Sequence, residues 1–220
     1  MEITEKFPGV YLINGRLHTK NIVSDFKPFG EQLFKVRNKE EYRPWDPTRS
    51  KAAAAILKGI KFFPITKGIK ILYLGSAHGY TVSHLSSIIG TEGVIYAVEF
   101  SDRPFKEFLP ICDKLKNVVP ILADARKTEL YDWIEQVDVV YADVADPQQT
   151  EIAIRNCEKF LKDCGYLMIA IKTQSIDVTR SPKEVVREEM QKITDAYLSV
   201  LDWVMLDPLE AKHGFIVAKK

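Results

Sequence analysis

Four ionisable side chains stand at the ends of predicted elements, although they are far apart in the sequence. Asp143 follows the run VDVVYA and Lys172 follows YLMIAI, so each lies at the carboxyl end of a predicted parallel strand. His213 opens a final antiparallel strand, and Lys51 begins the first predicted helix. In an open α/β sheet these positions share one edge, which is where ligands bind. A carboxylate, two amines and an imidazole at that edge could align a hydroxyl group and move its proton.

A turn that contains two glycines precedes these residues. A buried strand runs into GSAHGYT, where Gly75 and Gly79 have GxxxG spacing and not the GxGxxG of dinucleotide-binding proteins. Glu99 closes the next strand, where its carboxylate can accept hydrogen bonds from both ribose hydroxyls of an adenosine. Asp124-Ala125 follows the third strand and can meet the adenine. This arrangement favours S-adenosylmethionine (SAM) over NAD(P) as the cofactor.

The elements that must position these residues alternate between helices and strands from Ser50 onward, which predicts a layered α/β fold. Five parallel strands and a terminal antiparallel pair are typical of Rossmann-like methyltransferases, with a seven-stranded, mostly parallel sheet and an antiparallel last strand. The predicted strands are 70–74, 94–99, 118–122, 137–142, 166–171, 198–206 and 214–219. The predicted helices are 51–58, 82–89, 104–115, 130–134, 148–161 and 182–195.

Residues 1–50 predict a small antiparallel β-rich domain, separate from a methyltransferase domain of residues 51–220. Asn14-Gly15 between two β-type runs is a strong hairpin signal, and a further β-type segment is predicted at 31–36. Residues 1–70 hold 14 basic and 7 acidic side chains, whereas the remainder is mildly acidic. This asymmetry indicates either a local contact with a polyanion or a lysine-rich solvated face. The candidates for contacts with backbone phosphates are Lys6, Arg16, Lys20, Lys27, Lys35, Arg37, Lys39, Arg43 and Arg49.

Composition excludes several classes of protein. The 220 residues are 46% hydrophobic and 28% charged, which is typical of soluble globular proteins and excludes wholesale disorder. No apolar run approaches the roughly 18 residues of a membrane span, and MEITEKFPGV lacks the features of a signal peptide, so we expect a cytoplasmic protein without membrane contact. Three scattered cysteines are expected to be reduced, and we predict no metal site.

Seven segments in order resemble the successive motifs of fibrillarin, the 2′-O-methyltransferase of box C/D guide-RNA particles. The resemblance runs from about Tyr42 to the C-terminus, and before it the match is loose. Without a Gly/Arg-rich extension, the chain is similar to the archaeal form. The segments are YRPWDPTRSKAAAAILKGI, ILYLGSAHGYTVSH, VIYAVEFSDR, DAR, ADVADPQQT, IAIKTQSID and EAKHGFIVA.

The resemblance implies a set of site residues. Two departures from the usual motifs concern the cofactor: Asp146 replaces a glutamine and adds a negative charge, and His78 and Tyr80 replace smaller residues. The catalytic tetrad of the family falls on Lys51, Asp143, Lys172 and His213. The cofactor contacts, with Gly75 added for close backbone approach, fall on Tyr80, Thr81, Glu99, Phe100, Asp124, Ala125, Asp143, Val144, Ala145 and Asp146.

The resemblance also implies partners and a mechanism. A box C/D guide RNA selects target rRNA or tRNA by base pairing, and a Nop-domain scaffold protein, bound with a kink-turn-binding ribosomal-type protein, recruits the methyltransferase. The isolated chain is then expected to bind SAM but to methylate poorly. In this hypothesis Lys172 accepts or relays the 2′-hydroxyl proton, and Asp143 orients that lysine and the methyl donor. His213 and Lys51 position the ribose and its phosphate.

Two other functions stay open from the residues alone. One is a stand-alone O-methyltransferase for a small hydroxylated molecule, with a divalent metal held by carboxylates such as Asp143 and Asp146; Lys172 beside them argues against a cation. The other is a SAM-binding scaffold subunit that organises an RNA–protein particle without catalysis, for which Asp146 is the only hint.

Overall fold

The first five strands form a small antiparallel sheet in the computed structural model, which describes residues 3–36 and 40–220. Asn14-Gly15 joins the second and third strands, as predicted. The first and fifth strands are additions to the prediction, and the segment predicted at 31–36 forms a strand of only two residues. The strands are β1 (Ile3–Phe7), β2 (Val10–Ile13), β3 (Arg16–Lys20), β4 (Phe34–Lys35) and β5 (Glu41–Pro44), in the spatial order β1-β2-β3-β5-β4.

The carboxylate of Glu41, in β5, holds the loop between β3 and β4. It accepts a hydrogen bond from the backbone N–H of Asp25 at 2.8 Å and pairs with Lys35 Nζ at 2.9 Å. The hydrogen bond from Lys35 is the largest cause that lowers the pKa of Glu41 to about 2. The loop held in this way carries Phe26 and Phe29, which line a cleft of about 870 Å³.

We expect Glu41 to make the folding stability depend on pH in the acid range. Because its pKa is about 2 in the folded chain and 4.5 without these contacts, the stabilisation is present above pH 4.5 and is lost as the pH falls toward 2. In thermal melts, Glu41→Gln should have a lower Tm than wild type at neutral pH, and the difference should vanish near pH 2. Glu92→Gln, which removes an exposed carboxylate, is the control. A constant Tm difference between wild type and Glu41→Gln would contradict this prediction.

Arg43, also in β5, is fully buried against α2, the helix Tyr80–Ile89. Its Nη2 donates a hydrogen bond to Ser83 Oγ at 2.8 Å, and its Nε lies 3.4 Å from Glu31 Oε1. Burial lowers the pKa of Arg43 to about 10, with Glu31 opposing that shift. The prediction that Arg43 contacts RNA phosphates is therefore wrong, because its guanidinium is inaccessible to solvent.

Other predicted phosphate contacts are engaged with carboxylates at the surface. Lys20 pairs with Glu40, and Lys35 pairs with Asp25 at 2.6 Å as well as with Glu41. Arg37 and Lys39 lie outside the described residues. Among residues 3–36 and 40–220, the candidates that are exposed and form no ion pair are Lys6, Arg16, Lys27 and Arg49.

Helices and strands alternate from Lys51 onward, as predicted. Two differences are a short extra helix after the fifth parallel strand and a start of that strand at Leu161, directly after the preceding helix. A 3₁₀ turn, Thr128–Tyr131, lies near the helix predicted at 130–134. The helices are α1 (Lys51–Leu57), α2, α3 (Asp102–Leu115), α4 (Gln149–Phe160), α5 (Thr173–Ile176) and α6 (Pro182–Asp195). The strands are β6 (Lys70–Leu74), β7 (Val94–Glu99), β8 (Val118–Leu122), β9 (Val137–Ala142), β10 (Leu161–Lys172), β11 (Ser199–Met205) and β12 (His213–Lys219).

These seven strands form one sheet in the order β11-β12-β10-β9-β6-β7-β8. Strands β6 to β10 are parallel, and β12 runs antiparallel to both of its neighbours. The predicted fold, a Rossmann-like methyltransferase sheet with a small N-terminal antiparallel sheet, is confirmed. The chain passes from β6 to β7 on one side, whereas β9 lies on the other. The order of strands therefore reverses at β6, and a ligand site is expected at the carboxyl ends of β6 and β9.

Side chains of the large sheet alternate between two cores. Ile71 and Tyr73 of β6 pack with α1, α2 and α3, whereas Leu72 and Leu74 of the same strand pack with α4 and α6 on the other face. In α1 the four residues Ala52–Ala55 are fully buried, and their small side chains allow this helix to pack closely. The core that contains α1, α2 and α3 also includes Trp45 of the N-terminal region, so the small and the large sheet share this core. The domain boundary at residue 50 stays a prediction.

Within residues 3–36 and 40–220, no helix has the length and apolar character needed to cross a membrane. The three cysteines are free thiols: Cys112 and Cys157 are buried, and Cys164 is exposed. Burial raises the pKa of Cys112 to about 12, so this thiol is a packing group at neutral pH.

Candidate active site

The turn between β6 and α2 is built on two glycines with positive φ. Gly75 has φ +83° and Gly79 has φ +82°. A Cβ atom at Gly75 would lie 2.4 Å from the carbonyl oxygen of Asp143, and a Cβ atom at Gly79 would lie 2.1 Å from the ring of Phe108. The first glycine therefore lets the ends of β6 and β9 approach each other, and the second lets α2 begin against α3. The GxxxG spacing corresponds to two separate close contacts.

Glu99 ends β7 beside this turn and is almost fully buried. Its Oε2 accepts a hydrogen bond from the backbone N–H of Ala77, and its Oε1 accepts one from Ser101, both at 2.8 Å. Each carboxylate oxygen keeps a second lone pair for a further donor. A carboxylate fixed in this way can accept hydrogen bonds from the two hydroxyls of a ribose, which is the role predicted for it.

A cleft of about 220 Å³ opens beside Glu99. Phe100 presents a ring that is 73% exposed, and Ile152 adds apolar surface. A hydrogen-bonding carboxylate next to a flat apolar surface fits a nucleoside, so we call this the nucleoside cleft. It is lined by Gly75, Ala77, Glu99, Phe100, Asp124, Ala125, Arg126, Asp143, Val144, Ala145, Asp146 and Ile152.

Arg126 links two acidic side chains of the nucleoside cleft. Its Nε lies 3.0 Å from each oxygen of Asp124, its Nη2 donates to Asp124 Oδ2 at 2.8 Å, and its Nη1 lies 3.7 Å from Asp146 Oδ2. The hydrogen bond from Arg126 is the largest cause that holds the pKa of Asp124 below its ordinary value. The negative charge that Asp146 adds in place of glutamine is thus partly offset within the protein itself.

We expect Glu99→Gln to weaken SAM binding at least tenfold in calorimetry and to lower the Tm. One oxygen of the carboxylate becomes an NH₂ group, which must then face the backbone N–H of Ala77 or Ser101, and a buried donor left without an acceptor costs about 1–3 kcal/mol. Glu135→Gln, at an exposed surface carboxylate, is the control. Unchanged affinity in Glu99→Gln would remove Glu99 from the cofactor site.

Tyr80 and Thr81, the first residues of α2, line a second and larger cleft of about 870 Å³. The hydroxyl of Tyr80 accepts a hydrogen bond from the backbone N–H of Asp46 at 2.9 Å, and the hydroxyl of Thr81 donates to Ser50 Oγ at 3.0 Å. Both side chains are tied to the segment that leads into α1. The other nine predicted cofactor residues line the nucleoside cleft, so the structure divides the predicted set between two clefts.

Asp143 lines both clefts and pairs with Lys51. Lys51 Nζ lies 3.0 Å from Oδ1 and 3.2 Å from Oδ2 of Asp143, and both side chains are about four-fifths buried. Burial is the largest single influence and lowers the pKa of Lys51, but the charge and the hydrogen bond of Asp143, together with the charge of Glu210, raise it by more, so the net pKa lies above the ordinary value. Lys51 is therefore a protonated partner for Asp143 and not a proton acceptor.

Lys172 and His213 stand directly opposite each other on β10 and β12. The buried side chain of Gln149 accepts a hydrogen bond from the backbone N–H of Lys172 at 2.9 Å and donates to its carbonyl oxygen at 3.2 Å. The Nδ1 atom of His213 lies 2.8 Å from the carbonyl oxygen of Ala211. That nitrogen therefore carries the proton of the neutral ring, and Nε2 is the acceptor.

The four predicted catalytic residues lie at the same edge of the sheet, but their pairing differs from the hypothesis. Asp143 is bonded to Lys51, because α1 begins beside the end of β9, whereas the hypothesis has Asp143 orienting Lys172. In the described part of the chain, no carboxylate forms an ion pair with Lys172, and no three His, Cys, Asp or Glu side chains group as a metal site would require.

Gln149, Arg126 and Ser50 hold predicted site residues through their side chains, and they were not themselves predicted from the sequence. Each stands within six residues of a predicted one, in DVADPQQT, DAR and TRSK. A polar residue that closely follows or precedes a strand-end motif is the signal that could have suggested them. Gln149 and Ser50, however, bond residues of other elements, Lys172 and Thr81, and Arg126 reaches Asp146 of another segment as well as its neighbour Asp124.

Comparison with known proteins agrees with this arrangement. A family model described as Fibrillarin matches residues 1–220. The chain belongs to the fibrillarin family. A fibrillarin-like rRNA/tRNA 2′-O-methyltransferase from Thermococcus sibiricus is 47% identical to it, over 98% of this chain and 97% of the relative. The resemblance seen in the motifs is thereby confirmed, and it extends over the N-terminal residues that match the motifs loosely.

Two solved structures are similar to this fibrillarin-family chain over nearly its whole length. Aeropyrum pernix fibrillarin in complex with natively bound S-adenosyl-L-methionine is 44% identical, with a TM-score of 0.89, and the match covers 99% of each chain. A chain of a fibrillarin/Nop5p complex is 39% identical, with a TM-score of 0.87, and the match covers 96% of this chain and 97% of that one.

Proposed function

We propose that this protein transfers the methyl group of SAM to a ribose 2′-hydroxyl of rRNA or tRNA, as the catalytic subunit of a box C/D ribonucleoprotein. The observation that carries the proposal is the position of Asp143, bonded to Lys51 where the nucleoside cleft and the larger cleft meet. One cleft suits a nucleoside cofactor, and the other leaves room for a polymer substrate. The name of the Thermococcus sibiricus relative supports the same reaction.

The residues of the nucleoside cleft fit SAM, which supplies an electrophilic methyl group when bound. Glu99 is buried, is held by two backbone N–H groups and keeps lone pairs for the two hydroxyls of the cofactor ribose. Asp124 and Ala125 would hold the adenine, and the exposed ring of Phe100 would cover it. The SAM complex of the Aeropyrum pernix relative supports this assignment.

The side chains around Asp143 must align a ribose hydroxyl, which is a poor nucleophile, and accept its proton. Lys51 stays protonated and fixes the Asp143 carboxylate in one orientation. Lys172 forms no ion pair among the described residues, so its amine is the group we assign to accept or relay the proton. His213 offers Nε2 as a hydrogen-bond partner for the ribose at the same edge.

A guide RNA would select the target nucleotide by base pairing, and a Nop-domain scaffold would recruit this chain together with a kink-turn-binding ribosomal-type protein. The fibrillarin/Nop5p complex of a structural relative supports the proposal that a Nop-domain protein is a partner of this chain. The N-terminal sheet supports selection of the target by a guide RNA. Several of its basic residues pair with carboxylates or are buried in the core, so few positive charges are left to bind RNA directly.

The test is transfer of radiolabelled methyl from SAM to a short RNA that matches a box C/D guide, with chelator present. The chain is assayed alone, and then with the guide RNA and both partner proteins. We expect methylation of one ribose, and only in the full assembly. Equal transfer by the chain alone would contradict the guide-directed role. No transfer in the full assembly, despite measurable SAM binding, would contradict the enzyme and favour a SAM-binding scaffold subunit.

A further inference from the structure

The larger cleft contains Arg49, one of the basic residues that the sequence predicts as candidates for contacts with backbone phosphates. Arg49 lies two residues before Lys51, and both side chains line this cleft together with Asp143. We propose that Arg49 binds the phosphate next to the ribose that is methylated, and so positions the target RNA; the inference rests on the proposed function. Arg49 is a positioning residue, because it acts on the substrate beside the reacting hydroxyl and not on that hydroxyl itself.

Two aromatic rings hold the guanidinium of Arg49. Its Cζ atom lies over the ring of Tyr80, 4.2 Å from the centroid, and 5.2 Å from the centroid of Phe29. The two rings pack edge to face, with centroids 5.0 Å apart, and the Tyr80 hydroxyl is bound by the backbone N–H of Asp46. A guanidinium that stacks on aromatic faces keeps its N–H groups free at the edge of the plane. Arg49 is therefore oriented before any ligand arrives.

Among the described residues that line this cleft, Arg49 is a cation whose charge no carboxylate balances. Lys51 is paired with Asp143, and His78 lies 3.3 Å from Glu107. Within residues 3–36 and 40–220, no carboxylate forms an ion pair with Arg49, although the side chain is exposed. An exposed guanidinium with free donors binds an anion with two parallel hydrogen bonds, for which phosphate and carboxylate are both suited.

The position of Arg49 favours an RNA phosphate over the carboxylate of the cofactor. Only Ser50 lies between Arg49 and Lys51, so their Cα atoms lie within about 7 Å of each other. Arg49 lines the larger cleft and a neighbouring cavity beneath the N-terminal sheet, whereas the nucleoside cleft is lined by other residues. Because Arg49 and Asp143 line the same cleft, we assign to Arg49 a phosphate adjacent to the ribose whose 2′-hydroxyl lies at Asp143.

The test uses the full assembly with guide RNA and both partner proteins, and it measures KM for the target RNA, kcat and SAM affinity. For Arg49→Ala we expect KM to rise about tenfold, with kcat and SAM affinity within about twofold of wild type. Arg49→Lys, which keeps the charge but loses the planar fork, should raise KM about threefold. Arg187→Ala, which removes an exposed guanidinium from α6, is the control and should leave all three values unchanged.

Target RNAs with a single neutral methylphosphonate on either side of the target ribose identify the ligand. At one of these two positions, wild type and Arg49→Ala should have the same KM, because the anion that Arg49 binds has been removed. The same loss for Arg49→Ala at both positions would overturn the proposal, and so would a fall in SAM affinity, which would assign Arg49 to the cofactor carboxylate. An inactive wild-type assembly would refute the proposed function, whereas an active assembly that is insensitive to Arg49→Ala would refute this inference alone.

Discussion

Replacing Lys172 with alanine is expected to slow methyl transfer in the full assembly about 1,000-fold while leaving SAM affinity unchanged, since a positioned proton acceptor contributes roughly 10²–10⁴. The variant should fold normally, because Gln149 bonds only the backbone of Lys172 and alanine keeps both of those bonds. Single-turnover transfer to a matched target RNA measures the rate of the chemical step, and calorimetry measures SAM binding.

Lys172→Arg separates proton transfer from charge. Arginine keeps the positive charge but does not lose its proton, so it should be about as slow as alanine if Lys172 accepts or relays the proton. Lys183→Ala, at an exposed lysine of α6, controls for loss of a positive charge. Transfer by Lys172→Ala within about twofold of wild type would overturn the assignment, and full activity of Lys172→Arg would restrict the role of Lys172 to its charge.

Gly79→Ala is expected to destabilise the protein by about 3 kcal/mol, which for a chain of this size lowers the Tm by roughly 6–12 °C. Two effects add. An alanine at φ +82° is strained, and its Cβ atom would lie 2.1 Å from the buried ring of Phe108, which has no room to move within the core. Differential scanning calorimetry measures the change.

Gly68→Ala is the matched control, because Gly68 has the same φ of +82° and nothing within 4 Å of its Cβ position. It should show the backbone strain alone, about 1 kcal/mol. The difference between the two variants isolates the contact with Phe108. An equal fall in Tm for Gly68→Ala and Gly79→Ala would mean that α2 and α3 move apart at little cost, which would contradict the close packing at this turn.

The order of helices and strands from residue 51 onward, the sheet class and the edge at which the site lies could all be predicted from the sequence. Strand runs such as YLMIAI and the turn GSAHGYT are local signals, since the side-chain periodicity of a strand and the need for glycine at positive φ depend on neighbouring residues alone. Once those elements are known, parallel strands must present their carboxyl ends together. Asp143 and Lys172 could therefore be assigned to one edge before any distance was known.

Which charged groups pair with each other could not be predicted from the sequence and is seen in the folded chain. Lys51 and Asp143 are 92 residues apart, and Asp143 could have paired equally well with Lys172 on the basis of sequence. Arg43 and Arg49 are both arginines of the basic N-terminal region, yet Arg43 is buried against Ser83 and Arg49 lies over the rings of Tyr80 and Phe29 at a cleft. An ion pair depends on angstrom-scale distances between side chains of separate elements. Core packing and loop conformation determine those distances, whereas the local periodicity of the sequence carries no information about them.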